Sequence, residues 1–132
     1  MSQTQHIILV DDAAPTREVV AEYPKMHCFS ATRGSGGLIV MDHTQFGVRA
    51  AYRRRQFAAH ESCGTCTPCR VGGHWAVRTY ERILANEGSQ IDIGILDRVA
   101  DGLQNGRCLC GRGDSAGWVI QSTMSQFRNE YV

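Results

Sequence analysis

The chain has 132 residues, and its 14 basic and 13 acidic side chains leave a net charge of +1. This length predicts one domain with a hydrophobic core of its own. The near-neutral charge argues against binding nucleic acid or a membrane surface through bulk charge, and no apolar run is long enough to predict direct insertion into a membrane.

Residues 1–33 form a short N-terminal segment that carries no functional motif. HIILV at residues 6–10 predicts a buried strand, and a short helix is predicted at 15–20, where Pro15 can open it. The polar start MSQTQ lacks the charged and apolar regions of a signal peptide. We therefore expect a cytoplasmic protein, in whose reducing compartment the six cysteines serve metal binding rather than disulfides.

The glycine-rich stretch GSGGLIVMD, residues 34–42, predicts a tight turn followed by a buried strand at 38–41. Glycines that cradle a phosphate lie between a strand and the N-terminus of a helix, whereas these glycines precede the strand. We therefore expect them to serve packing, and we expect Asp42 or Thr44 to cap the element that follows.

The rest of the chain predicts four helices, and short connections make successive helices antiparallel neighbours in a bundle. The helices are expected at residues 44–61, 68–86, 92–104 and 114–131, the last capped by Asp114 or Ser115. In the third helix, Ile95, Val99 and Leu103 form a clear apolar stripe. The first helix carries the one charge run, Arg53 to Arg55, which is expected on a solvated face. Its apolar stripe, which includes Phe46 and Phe57, is ragged.

Three cysteines crowd one short stretch of the sequence, ESCGTCTPCR. They are Cys63, Cys66 and Cys69. Thiolates this close together repel one another unless a cation neutralises them, and soft sulfur ligands select zinc, cuprous copper or iron–sulfur clusters. A closed site needs a fourth ligand, which Cys108 or Cys110 could supply. Three cysteines at intervals of three with a distant fourth favour a [4Fe–4S] cluster, since zinc ribbons usually take two CxxC pairs.

The CxxCxxC run, with GSGGLIVMD and with CGRGDSAGW at residues 110–118, resembles the C-terminal iron–sulfur region of the flavin-bearing, NADH-oxidising subunit of complex I. Related regions occur in NAD-linked hydrogenases and formate dehydrogenases. In that family the fourth ligand opens a CxxGD pattern, which here falls on Cys110, Gly113 and Asp114. The resemblance therefore implies Cys63, Cys66, Cys69 and Cys110 as the ligands of one [4Fe–4S] cluster, with Cys108 as a departure from the family pattern.

The resemblance also bears on the fold. A small β domain precedes the cluster region in that family, and residues 1–33 are short for a complete one. The expected fold is mainly α: a four-helix bundle over residues 34–132 that binds one iron–sulfur cluster, preceded by a short α/β segment. The starts of the second and fourth helices share one end of such a bundle, so one cluster can be reached from both loops. Arg70, Arg107 and Arg112 lie beside the ligands in sequence and would raise the cluster potential.

The expected function is electron transfer. The resembled subunit binds FMN and NADH in an N-terminal domain with a glycine-rich signature that is not found here, so neither is expected on this chain alone. No nucleophile or acid–base constellation suggests catalysis. We expect a non-catalytic carrier that relays single electrons between a flavin/NADH-binding partner subunit and other redox subunits of an oxidoreductase complex. The alternatives are a structural zinc module and a redox or iron sensor, for which the spare Cys108 is the only support.

Overall fold

The computed structural model of the chain describes three strands at residues 5–10, 26–29 and 37–41, and all residues from 46 to 131. The helix predicted at 15–20 and the caps predicted at Asp42 and Thr44 lie outside the described residues. The chain divides into two compact units, Met1–Phe46 and Gly47–Val132.

The first unit contains a three-stranded sheet. Its strands are β1 (Gln5–Val10), β2 (Met26–Phe29) and β3 (Gly37–Met41). Strand β1 lies in the centre, parallel to β2 and antiparallel to β3. Strands β1 and β3 confirm the two strands predicted from short runs rich in β-branched residues. Strand β2 was not predicted, because its four residues, MHCF, are too few to show a strand pattern.

The second unit is a four-helix bundle, as predicted. Its helices are α1 (Gly47–His60), α2 (Thr67–Leu84), α3 (Gln90–Leu103) and α4 (Gly111–Gln126), followed by a turn of 3-10 helix, Arg128–Glu130. Each helix packs against the next in sequence, and α4 packs against α1 to close the ring. None of the helices in the described part of the chain has the length and apolar character needed to cross a membrane.

The starts of α3 and α4 differ from the prediction. Helix α3 begins after Ser89, whose backbone N–H and hydroxyl donate to the Asp92 carboxylate over 2.9 and 2.8 Å, so Asp92 completes a capping box within the helix rather than starting it. Helix α4 begins a full turn earlier than predicted, with Cys110 as its N-cap. The cap predicted at Asp114 or Ser115 is therefore wrong, and Asp114 lies in the first turn, where the helix dipole favours a negative charge.

Helix α1 corrects the prediction about its own faces. Its buried face follows helical spacing through Val48, Ala51, Arg55 and Ala59. Arg55 is only 1% exposed, whereas Phe57 is 58% exposed. The solvated face predicted for the arginine run is therefore wrong for Arg55, because position on the helix, not residue type, decides which side chain faces the bundle.

The core contains the apolar stripe predicted for the third helix, with Val99 and Leu103 buried and Ile95 packed against them. The largest fully buried apolar side chains are Tyr80, Leu96, Leu103, Ile120 and Tyr131. At the end of the bundle where α2 and α4 finish, the Tyr80 and Tyr131 hydroxyls lie 3.2 Å apart, and Thr123 Oγ1 lies 2.9 Å from Tyr131. Each buried hydroxyl thus has a partner, and the chain of hydroxyls joins the segment after α4 to α2.

We expect Gly117→Ala to destabilise the bundle. A Cβ at this position would lie 2.6 Å from Cγ of Gln104 and 2.8 Å from the Ala100 carbonyl oxygen, so α4 would have to move away from α3. The free energy of unfolding, measured by denaturant titration with circular dichroism, should fall by about 1–3 kcal/mol. The control is Gly94→Ala in α3, where a Cβ meets nothing within 4 Å. That change should raise stability by about 0.5–1 kcal/mol, and equal effects of the two changes would contradict the close helix approach.

Candidate metal centre

The predicted ligand cysteines lie at one end of the bundle. Cys66 is the N-cap of α2, Cys69 lies in the first turn of α2, and Cys110 is the N-cap of α4, while Cys63 lies in the loop that enters α2. The two loops touch, because the backbone N–H of Leu109 donates to Cys66 Sγ over 3.2 Å. The prediction that the loops entering the second and fourth helices meet is confirmed.

Each thiol in the CxxCxxC run has a hydrogen-bonding group beside its sulfur. Cys63 Sγ lies 3.3 Å from Thr65 Oγ1, and Cys69 Sγ lies 3.2 Å from Ser62 Oγ. Cys66 Sγ accepts the Leu109 N–H already described. Polar groups beside a ligand sulfur stabilise the negative charge that the sulfur takes on when it binds a metal, so the surroundings of these three sulfurs suit metal ligands.

The loop that carries Cys63 is held by glycine and arginine. Gly64 has a positive φ of 78°, which glycine adopts without a steric penalty. Its N–H donates to Ser62 Oγ over 3.3 Å, and Arg70 Nη1 donates to its carbonyl oxygen over 2.7 Å. Arg70 lies beside the ligands in sequence, and its charge was expected to raise the cluster potential. In the structure it contacts the backbone of the loop. It orients the loop from which Cys63 projects.

The other two arginines predicted near the ligands behave differently. Arg107 pairs with Asp101 at 2.8 Å on the exposed surface, so a carboxylate offsets its charge. Arg112, in the first turn of α4, lies over the Phe57 ring with its guanidinium carbon 5.8 Å from the ring centre. Its charge also acts on Cys63. Arg112 is thus the predicted arginine that supports a negative charge at the cysteines.

Cys63 and Cys108 differ sharply as thiols. The hydrogen bond with the Thr65 side chain, helped by the Thr65 backbone and by Arg112, lowers the pKa of the exposed Cys63 thiol. Burial, together with the charges of Cys66 and Cys69, raises the pKa of Cys108. Cys63 therefore reaches its thiolate form at a lower pH than Cys108 does.

The structure places Cys108, rather than Cys110, against Cys66 and Cys69. Cys108 is buried, and its Sγ lies 2.6 Å from where a Cβ on Gly113 would sit, so it packs directly on α4. Cys110 is exposed. In the described part of the chain, no three His, Cys, Asp or Glu side chains are close enough together to hold one metal ion. The cysteines thus gather at one end of the bundle without converging on a point.

One residue at this end was missed by sequence reasoning. Arg55 of α1 lies inside the bundle, and its Nε and Nη1 atoms have no hydrogen-bond partner. Burial lowers the pKa of its guanidinium, and the nearby Tyr80 hydroxyl and Cys69 thiol oppose that shift. The signal that could have found it is its place four residues after Ala51, on the buried face of α1.

A helical bundle with thiols gathered at two helix N-termini defines an iron–sulfur-binding module. Residues 49–132 match the family described as the NADH-ubiquinone oxidoreductase-F iron-sulfur binding region, and the chain belongs to this family. The resemblance inferred from the cysteine motifs is confirmed. The family binds a [4Fe–4S] cluster, which confirms the cofactor predicted from the cysteine spacing.

Individual proteins show how much of a longer chain this sequence matches. The F subunit of NADH-quinone oxidoreductase from Streptomyces coelicolor is 39% identical over 114 residues, which cover 86% of this chain and 25% of that protein. The F subunit of the same enzyme from Rickettsia bellii is 36% identical over 109 residues, which cover 83% of this chain and 26% of that protein. The chain spans about a quarter of the length of the curated relatives it matches.

A solved structure shares the fold. The NAD+-reducing [NiFe]-hydrogenase in the air-oxidised state superposes with a TM-score of 0.67 at 33% identity, over 73% of this chain and 17% of that chain. The residues at the bundle end fit the cofactor of the family, because soft thiols with hydrogen-bond donors at their sulfurs are the groups that hold an iron–sulfur cluster.

We expect iodoacetamide to alkylate Cys63 before Cys108 in the reduced, cluster-free chain. Cys63 is exposed with a lowered pKa, whereas Cys108 is buried with a raised one. Peptide mass spectrometry should show rates that differ by at least about tenfold near neutral pH, and Cys63 labelling should persist to a lower pH. In guanidinium the two rates should become similar. Equal rates in the folded chain would contradict this account of the two thiols.

Proposed function

We propose that this chain is an electron-transfer module in which Cys63, Cys66, Cys69 and Cys110 ligate one [4Fe–4S] cluster. It relays single electrons between a flavin/NADH-binding partner subunit and further redox centres of an oxidoreductase complex. The observation that carries the proposal is the hydrogen bond from Leu109 N–H to Cys66 Sγ, because it joins the loops that bear the ligands.

The residues around the sulfurs explain how such a module would work. When bound, the cluster supplies a one-electron couple whose reduced form is the more negative. The Thr65 and Ser62 hydroxyls and the Leu109 N–H lie at three of the four proposed ligand sulfurs. The N-termini of α2 and α4 add partial positive charge at the same end of the bundle. All these groups stabilise negative charge, so they favour electron uptake.

Cys110 is a better fourth ligand than Cys108 for two reasons. A ligand has to be a thiolate, and burial holds Cys108 in its neutral form by raising its pKa. Cys110 is exposed and is the N-cap of α4, so its sulfur lies at the end of the helix where free N–H groups and partial positive charge are found. A cluster is favoured over a single zinc ion because the chain belongs to a family that binds a [4Fe–4S] cluster.

The surface at the cluster end supports exchange of electrons with a partner. Leu109 is 84% exposed beside Cys110, and Phe57 is 58% exposed under Arg112. Exposed apolar side chains next to the ligands offer a place where a second redox protein can approach. The relatives are named as a subunit of an NADH-quinone oxidoreductase and as an NAD+-reducing hydrogenase, and these names support an NADH-linked redox partner.

We expect the chain, purified without oxygen, to contain about four irons and four sulfides per molecule. Its broad visible absorption should bleach on reduction with dithionite and return on oxidation, because the four-thiolate cluster is a one-electron couple. Metal and sulfide analysis with absorption spectroscopy checks both points. Zinc without sulfide would overturn the electron-transfer proposal in favour of a structural metal site.

We expect Cys110→Ser to lose the cluster or bind it far more weakly, while Cys108→Ser keeps it. The two cysteines lie two residues apart, so they form a matched pair that separates ligand loss from disturbance of the loop. Iron and sulfide per chain, measured for both variants under the same reconstitution, give the result. Retention in Cys110→Ser with loss in Cys108→Ser would reverse the assignment of the fourth ligand.

A further inference from the structure

Arg55 is a buried cation that the chain itself leaves without a full set of partners. Its side chain is 1% exposed, and Nε and Nη1 make no hydrogen bond. None of the ion pairs formed by residues 46–131 includes it. An unpaired charge in a protein interior is strongly destabilising. A group outside the amino-acid sequence that carries negative charge would offset this cost.

The position of Arg55 shows where that negative charge lies. Gly73 of α2 faces the guanidinium, because a Cβ there would be in ordinary van der Waals contact with Arg55 Nη2 at 3.5 Å. Gly73 follows Cys69 by four residues, which is about 6 Å, or one turn, along the helix axis. The charges that act on Arg55 come from Cys69 on the ligand side and from Tyr80 on the core side.

Tyr80 does not supply the missing charge. Burial raises the pKa of its hydroxyl, so Tyr80 is neutral near pH 7, and that hydroxyl is already engaged with Tyr131. Cys69 is the other titratable neighbour, and as a proposed ligand it would carry negative charge once the cluster is bound. The guanidinium therefore lies inside the bundle, behind the ligand cysteines. Solvent, which screens the charges of the exposed arginines, is excluded there.

We propose that Arg55 is a positioning residue that balances the negative charge of the iron–sulfur cluster from inside the bundle, through Cys69, and so favours the reduced state. This inference rests on the cluster ligation in the proposed function. It makes two separate demands. Arg55 should raise the reduction potential of the bound cluster, and it should make the cluster-free bundle less stable than an apolar residue would.

The test compares Arg55→Met with Arg53→Met in the full chain. Both changes remove one positive charge from α1, but Arg53 is exposed whereas Arg55 is buried. The reduction potential of the reconstituted cluster is measured by a redox titration followed by electron paramagnetic resonance. The stability of the cluster-free chain is measured by denaturant titration.

We expect Arg55→Met to shift the equilibrium between reduced and oxidised cluster at least tenfold toward the oxidised form, compared with Arg53→Met. For one electron this equals a reduction potential that is lower by at least 59 mV. The cluster-free Arg55→Met chain should unfold at a higher denaturant concentration than the unsubstituted chain, because an unpaired buried charge is gone. Arg55→Lys, which keeps the charge, should recover most of the potential. If Arg55→Met does not fold, Arg55→Gln and Arg55→Lys give the same comparison of potential.

The inference would be overturned if the reduction equilibria of the Arg55→Met and Arg53→Met clusters differed by less than threefold, whatever happens to stability. In that case the unsubstituted chain would still contain iron and sulfide, and the proposed function would stand. An unsubstituted chain that takes up no cluster would instead overturn the proposed function, and with it the role of Arg55. The two failures are therefore told apart by metal analysis of the unsubstituted chain.

Discussion

The ligand end of the bundle is shaped by the need to compensate negative charge on the sulfurs that are proposed to hold the cluster. Thiolates repel one another and are poorly solvated near apolar side chains, so each sulfur needs a positive or hydrogen-bonding neighbour. The neighbours that the chain supplies are the N-termini of α2 and α4, the Leu109 N–H, and the hydroxyls of Ser62 and Thr65. The antiparallel order of the helices is what brings these groups to one end.

The two ends of the bundle are built on different chemistry. At the far end, the Tyr80 and Tyr131 hydroxyls satisfy each other, and the Val48 N–H donates to Glu130 Oε2 over 3.3 Å, so the last residues are bound to α1 and α2 without a cofactor. At the ligand end, the loops meet through the hydrogen bond from Leu109 N–H to the sulfur of Cys66 and through buried Cys108, which packs against Cys66 and Cys69. The proposed cluster would join the same two loops, which would couple cofactor uptake to the folding of that end.

Sequence patterns predicted the features that follow from local periodicity and spacing. Four helices, strands β1 and β3 and the meeting of the two cysteine loops came from apolar repeats, turn residues and the CxxCxxC run. The start of α4 did not, because Cys110 is not a common N-cap residue and Asp114 is, so the local signal pointed one turn too late. The exposure of Phe57 and the burial of Arg55 also escaped prediction, because residue type and helical position disagree in α1.

That disagreement in α1 is informative. A sequence that specifies one fold has local and global preferences that agree, and the exceptions concentrate at functional sites. Arg55 is such an exception: helical spacing places it among Val48, Ala51 and Ala59, where an apolar side chain would stabilise the bundle more. Arg70 is exposed, so its charge costs little and is screened by water. A charge placed where water cannot screen it acts more strongly on the ligand end, at a cost in the stability of the cluster-free protein.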